Sequence, residues 1–340
     1  MKKYFALALL CCSVGAHAET LTVISFGGQA KDAQAKAFYR PFEKAGLGTI
    51  APGEYGGEMA KIKAMSITGH ADWDVVEVES PDLARGCEEG LFEKLDWSKI
   101  GNQADFIKPA VSECGVGMAV WSMVLAYDHK KFAKAPADWA AFWDVKTYPG
   151  KRALRKSAKF TLEIALLADG VKPYQLYSVL NTKEGVDRAF RKLDELKPNI
   201  QWWEAGAQPM QWLAAGDVVM TSSYNGRVTA AQKEGKDFGI AWKDSLFDLD
   251  SWAIVKGSDH KALGEKYIAF ASKPENQKAF AEAIPYGPTH VKAPELIDPA
   301  ILAGLPTAPQ NMEVAAGIDT EFWLDNGEEL QQRFNAWAAK

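Results

Sequence analysis

Histidine and cysteine are scarce in this sequence, five and four among 340 residues, and the few present do not cluster. His70, His129, His260 and His290 stand far apart without ligand spacing, so they read as surface or loop residues and no metal site is expected. There is no Gly-x-Ser-x-Gly elbow, no His-Glu-x-x-His, no Walker loop and no Cys-x-x-Cys. Gly115-x-Gly117 lacks the third glycine of a dinucleotide fingerprint and precedes an apolar run with no strand expected ahead of it. No cofactor is expected, and no local catalytic signature supports an enzyme. A site assembled from distant residues stays open only as a secreted α/β hydrolase or transferase. Positive charge is not in excess either: 39 Lys and Arg against 44 Asp and Glu give a net charge of −5, which argues against nucleic acid as a partner. Finally, no run reaches the ~20 apolar residues of a bilayer span, so a membrane-embedded segment is not expected.

At the N-terminus, Lys2 and Lys3 precede the apolar run Tyr4 to Val14, and Ala16-His17-Ala18 supplies small residues around a cleavage point. This pattern predicts a secretory signal peptide cut after Ala18. Cys11 follows Leu10 and Cys12 follows Cys11, so the small residue that precedes a lipid-modified cysteine is missing. Cleavage would remove Lys2 and Lys3, taking the formal charge from −5 to −7, and would also remove two of the four cysteines. Cys87 and Cys114 then form the only pair in an oxidising compartment. A disulfide between them is expected, with two separately buried thiols as the alternative.

Roughly 320 residues after that cut exceed one comfortable core and suggest two lobes. Strands and helices alternate. Leu21 to Ser25 reads as a strand, Asp32 to Lys44 as a helix, Glu58 to Ile67 as a helix and Trp73 to Val78 as a strand. Pro81 to Glu89 reads as a helix closed by Gly90, and Trp121 to Tyr127 as a strand. Leu162 to Leu167 and Val186 to Leu196 look helical, and Asp217 to Ser222 extended. An α/β architecture follows. Open sheets of this class place ligands beyond the carboxyl ends of strands. That rule selects Ser25-Phe26-Gly27-Gly28, Glu79-Ser80-Pro81, Ser222 to Arg227, and Asp248-Leu249-Asp250. Of the twelve tryptophans, Trp139 and Trp143 are expected to fill core. Trp202 and Trp203 are adjacent on an extended chain and must point to opposite faces, one to core and the other to a cleft.

Several stretches together resemble the polyamine-binding branch of bacterial periplasmic solute-binding proteins, over nearly the whole mature chain. Ser25-Phe26-Gly27-Gly28 is similar to that family's first ligand loop, Trp73-Asp74-Val75-Val76 to its Asp-containing strand, and Glu89-Gly90-Leu91 to the motif that follows. Tyr224-Asn225-Gly226 resembles an aromatic-Asn-Gly turn, Asp250-Ser251-Trp252-Ala253-Ile254 a strand crossing between lobes, and Pro285-Tyr286-Gly287-Pro288-Thr289 a tyrosine-bearing turn. The segment Lys156 to Asp169, with Gly206-Ala207-Gln208-Pro209 and Tyr224 to Arg227, resembles a sub-branch that includes γ-aminobutyrate receptors.

The resemblance implies a two-lobed type II periplasmic binding protein fold with crossover strands as a hinge. Residues 19–126 and 251–293 would form one lobe, 127–250 and 294–340 the other. It implies a monomeric receptor that works with an ABC permease of the inner membrane and performs no chemistry. Phe26 and Tyr224 would be aromatic walls, Asp250 the amine-pairing carboxylate and Tyr286 a further cleft contact. Ser25, Gly27, Glu79, Ser80, Lys159, Trp202, Trp203, Gln208, Arg227 and Asp248 complete the candidate set. Two departures from the polyamine pattern matter: Gly28 stands where a first-loop carboxylate is expected, and Arg155 to Thr161 is a basic stretch. A buried ammonium needs a carboxylate and a buried basic group needs an anion. A ligand carrying both, an ω-amino acid such as γ-aminobutyrate, satisfies the two together. The alternative ligand is a polyamine such as putrescine, spermidine or agmatine. Arg155, Lys156 and Lys159 could instead form a solvated rim, and Arg227 an ion pair beside its turn.

Overall fold

The computed structural model describes residues 19–340, so the signal peptide expected over residues 1–18 lies outside the described residues. The β-branched stretches become strands β1 (Thr20–Ser25), β2 (Thr49–Glu54), β3 (Val75–Glu79), β4 (Gly115–Asp128) and β5 (Arg152–Arg155). After them come β6 (Ile200–Trp203), β7 (Met220–Tyr224), β8 (Phe238–Ile254) and the two-residue β9 (Gly287–Pro288) and β10 (Ala316–Gly317). The main order is β2-β1-β3-β8-β4-β7-β5-β6, with β9 on β4 and β10 on β8. At one end β1 lies parallel to β2 and β3, and at the other β5 lies parallel to β6 and β7. Parallel strands buried on both faces need helices over them, and the alternating βα units supply these. The architecture is the two-lobed type II fold expected from the sequence.

The two halves are joined by the antiparallel pair β4 and β8, of 14 and 17 residues. Each changes neighbours along its length: β8 pairs with β3 over Asp250–Ile254 and with β10 at Leu246 and Phe247, while β4 pairs with β7 over Met123–Tyr127. Register shifts interrupt the ladder between Gly117 and Ala119 and between Met123 and Leu125. Two sequence expectations need correction here. β4 begins at Gly115, not Trp121, so the glycine pair lies inside a strand. A side chain at Gly117 would come within 2.6 Å of the Ala110 Cβ, so that glycine admits packing and cradles no phosphate. Likewise Asp248-Leu249-Asp250 lies within β8 and does not follow it.

The first helical segment runs from Gly28 to Lys44, with a π turn at Ala35–Tyr39. It carries Phe38 and Phe42 onto the sheet, where Phe38 stacks on Phe280 and meets the Trp252 ring edge-on. Tyr267 closes this cluster against Phe42 and Trp252. Full burial of such side chains stabilises by roughly 1.5–3 kcal/mol each, which makes this a rigid backing for the residues of β8. Trp139 fills core as expected and Trp143 packs half-buried against it, their indoles donating to the carbonyls of Asp244 and Lys192. His290 departs from the surface reading: it is buried beside Phe106, and burial pushes its pKa down.

Cys87 and Cys114 are bonded, with Cα atoms 5.8 Å apart. The link fastens the helix Ser80–Glu88 to the residue just before β4. Closing a loop of 27 residue steps stabilises by about 3 kcal/mol on the chain-entropy account. Among the described residues no helix is long and apolar enough to cross a membrane.

Candidate ligand-binding site

Alternation along β3 sets Glu77 and Glu79 on one face, with Val76 and Val78 on the other. The antiparallel register places Glu79 opposite Asp250 and Glu77 opposite Trp252. On the far side of β8, Asp248 faces Trp121 of β4 and Asp250 faces Ala119. Four carboxylates therefore share one face where the two long strands cross, an arrangement that costs far too much unless cations join it. Glu77 is 1% exposed and accepts hydrogen bonds from Gln34 Nε2 at 2.9 Å and the Phe26 amide at 3.2 Å. Tyr39 steadies Gln34 from across the π turn with a 2.7 Å hydrogen bond. Asp250 accepts from Trp121 Nε1 at 2.9 Å. Glu79 and Asp248 both accept from Lys159 Nζ, at 2.5 and 3.1 Å.

Three of these acids, Glu77, Glu79 and Asp250, border a cavity of about 370 Å3. Phe26 and Tyr55 form one wall, stacked with ring centres 5.3 Å apart, and the Tyr55 hydroxyl donates to the Glu77 carbonyl. Trp121, Tyr224 and Tyr286 form the other wall, Trp121 meeting Tyr224 edge-on at 5.1 Å. Arg155, Arg227 and Glu204 add charge to the lining. Arg155 is held among the rings of Phe160, Trp203 and Tyr224 at 5.8 to 6.0 Å, and its buried Nη1 has no protein partner.

The turn motifs explain themselves through this cavity. In Tyr224-Asn225-Gly226 the tyrosine is wall, and Asn225 accepts from the Ser122 amide at 3.0 Å and donates to the Pro285 carbonyl at 2.6 Å. A Cβ at Gly226 would lie 2.6 Å from the Tyr286 ring, so only glycine lets Tyr286 reach the cavity. In the second turn, Gly287 and Pro288 pair with β4, and Thr289 donates to the Gly117 carbonyl at 2.6 Å. Gln208 accepts from the amides of Glu204 and Ala205 at 2.8 and 2.9 Å and so shapes the loop along the rim.

Protonation divides the four carboxyls. Burial pushes Glu77 up despite the hydrogen bonds from Gln34 and Phe26. Burial, then repulsion from Glu77 and Glu79, pushes Asp250 well above the usual carboxylate range. Burial also acts on Glu79, but the Lys159 ammonium and the Arg155 guanidinium outweigh it and hold Glu79 low. Asp248 stays raised by burial, offset only in part by Lys159. The Glu77 and Asp250 pair is thus the one short of positive charge.

Residues 37–307 match the family described as bacterial extracellular solute-binding protein. The chain belongs to that family. Among curated relatives it is 60% identical over 336 residues to the gamma-aminobutyric acid-binding protein of Pseudomonas aeruginosa, spanning 99% of this chain and 95% of the relative. Among solved structures it is similar to a GABA receptor, with 33% identity, a TM-score of 0.86 and coverage of 95% and 98% of the two chains. It also resembles the periplasmic binding protein MotA from A. tumefaciens B6 in complex with glucopine, with 31% identity, a TM-score of 0.87 and coverage of 94% and 99%.

Phe26, Gly27, Glu79, Tyr224, Arg227, Asp250 and Tyr286 all line the cavity. Behind them, Lys159 and Asp248 are paired in the carboxylate row, Ser80 Oγ donates to the Leu249 carbonyl at 3.3 Å, and Ser25 is buried. The two tryptophans point to opposite faces as their parity requires, but neither lines the cavity. Trp203 is fully buried behind Tyr224, whereas Trp202 packs against Phe334 and Trp337 of the helix Thr320–Ala338. Lys156 is a rim residue, half exposed and paired with Glu204 at 2.6 Å. The reading left out Tyr55, Glu77, Trp121 and Arg155. Glu77 had a signal, since it is an acid between valines in a strand otherwise fit for full burial.

Proposed function

We propose that this protein is the periplasmic receptor of an ABC importer and captures an ω-amino acid, γ-aminobutyrate or a close analogue, without chemical change. One observation carries the reading: a carboxyl pair short of positive charge, Glu77 with Asp250, and a buried guanidinium with an unpartnered Nη1, Arg155, border the same small cavity. The ligand ammonium goes to Asp250 and Glu77, flanked by the faces of Phe26, Tyr224 and Tyr286, which favour cations. Its carboxylate goes to Arg155, whose planar fork suits a carboxylate, with Arg227 nearby. A diamine would leave Arg155 without an anion. The names of the Pseudomonas relative and of the GABA receptor support the same ligand. The reading also includes signal cleavage after Ala18, delivery to an inner-membrane permease, and a monomeric state. The two lobes meet where β4 and β8 exchange neighbours, near Ser122 and Asp248.

Isothermal titration tests this. γ-Aminobutyrate should bind and putrescine should not. Asp250→Asn and Arg155→Met should each weaken γ-aminobutyrate by about 100-fold or more, since removing one partner of a buried charge pair typically costs ~3–5 kcal/mol. Melting temperatures of the empty variants should stay close to that of the parent. Putrescine binding more tightly than γ-aminobutyrate, or affinity kept within a few-fold in both variants, would overturn the assignment.

A further inference from the structure

The cleft holds more acid than a single ligand amine can use. Beside Glu77 and Asp250, Glu79 and Asp248 are also withdrawn from water, at 18% and 1% side-chain exposure. Their cation comes from the protein itself. Lys159, 15% exposed, reaches both from the helix Ala158–Ala168, an element outside the strands that carry them. The local backbone is built for this reach: Lys159 is extended, with ψ 134°, and Phe160 takes φ 73° before the regular helix starts. A left-handed phenylalanine is unfavourable and persists only where its surroundings enforce it. Here Phe160 is fully buried against Trp121 at 5.4 Å, with the Lys159 ammonium 5.1 Å from its ring centre. The bend turns residue 159 out of the helical path and into the carboxylate row.

We propose that Lys159 is a resident ammonium that fills the place of a second ligand amine, and so makes the cleft select solutes with one amine and reject α,ω-diamines. The inference rests on the reading of the site as an amine-and-carboxylate receptor. A diamine entering the present cleft places its second ammonium among like charges, Lys159 and Arg155, with Glu79 and Asp248 already paired with Lys159. Without the Lys159 side chain those two carboxylates lose the cation that pairs with both, and only the more distant Arg155 guanidinium still acts on them. The space vacated by the stem then suits a ligand ammonium, which restores the lost charge balance.

The test uses the mature protein and its Lys159→Ala variant, titrated with γ-aminobutyrate and with diamines of three to five carbons. The parent should bind γ-aminobutyrate only. The variant should gain affinity for at least one diamine by about 100-fold or more over the parent, the scale set by re-pairing a buried charge. A folded variant that takes up no diamine overturns the proposal, whatever its affinity for γ-aminobutyrate. A parent that binds diamines in place of γ-aminobutyrate is a different failure, because it removes the reading of the site itself. If Lys159→Ala does not fold alone, refolding in n-propylammonium chloride against sodium chloride decides: rescue by the ammonium salt alone supports the proposal, and no rescue overturns it. The neutral triple variant, Lys159→Met with Glu79→Gln and Asp248→Asn, should gain no diamine binding. A gain there would show that vacated space, not charge, governs selection, and would overturn the proposal.

Discussion

At the scale of single residues, Glu77 and Asp250 behave as a proton store. Both carboxyls are raised in the empty protein, Glu77 by burial and then repulsion from Glu79, Asp250 by burial and then repulsion from Glu77 and Glu79, so the pair keeps a proton to higher pH than exposed acids do. An arriving ammonium favours the ionised form of each and drives that proton out. The heat of γ-aminobutyrate binding should therefore vary with the ionisation enthalpy of the buffer, with a slope that reports proton release. Glu77→Gln removes one member of the pair, lets Asp250 ionise more readily when empty, and should reduce that slope. Equal slopes in parent and variant would place the proton elsewhere. The same residues show where sequence reading runs out. Asp250 was legible because it opens a string that matches a family pattern, but the loss of charge balance at Glu77 depends on which strand lies beside it. Arg155 was visible as part of a basic stretch, yet nothing in its neighbours said that it is enclosed by three aromatic rings.

At the scale of elements, most helices and strands followed from periodicity, with ends that moved by a few residues. The largest misses were the strands that cross between lobes. A 17-residue strand with aspartates at 244, 248 and 250 does not alternate like one strand, because its two halves pair with different neighbours in the one sheet and its middle serves the cavity. The helix Ala158–Ala168 presents a second case. It is apolar enough to be recognised, but Glu163 is wholly buried in it, accepting from Trp323 Nε1 at 2.7 Å and the Tyr177 hydroxyl at 3.0 Å, while its Oε2 has no partner. Burial pushes this carboxyl from its ordinary 4.5 up to about 7. The folded chain therefore binds the proton more tightly than the unfolded one. The resulting stabilisation is complete below about pH 4.5 and lost as pH rises through about 7, a change of about 3 kcal/mol. Glu163→Gln keeps an acceptor for both donors and cannot ionise. Its melting temperature should fall less than the parent's between about pH 5 and about pH 8. Parallel curves would mean that Glu163 does not titrate in this range.

At the scale of the whole molecule, the cavity is assembled from both ends of the sheet, so a solute can be enclosed only if the ends approach one another. Lys159 and its acids are one contact between them. The helix Thr320–Ala338 is another, packing on the helices Ser80–Glu88 and Ala158–Ala168, with Arg85 Nη2 3.4 Å from the Leu324 carbonyl. Solution scattering should show a smaller radius of gyration at saturating γ-aminobutyrate than in the empty protein. An unchanged value, with binding confirmed by calorimetry, would rule out closure.

The paired strands that join the lobes have a mechanical consequence. β4 and β8 remain hydrogen-bonded to each other on both sides of the junction, and the register shifts near Ala119 and Met123 interrupt the ladder without ending it. If the lobes close as proposed, such a connection serves as a flexure that bends at its two irregular points, with no parts that slide. Because the ladder holds on either side of the bend, each excursion returns the same side chains to the same positions, and the cavity that reforms is the one that opened.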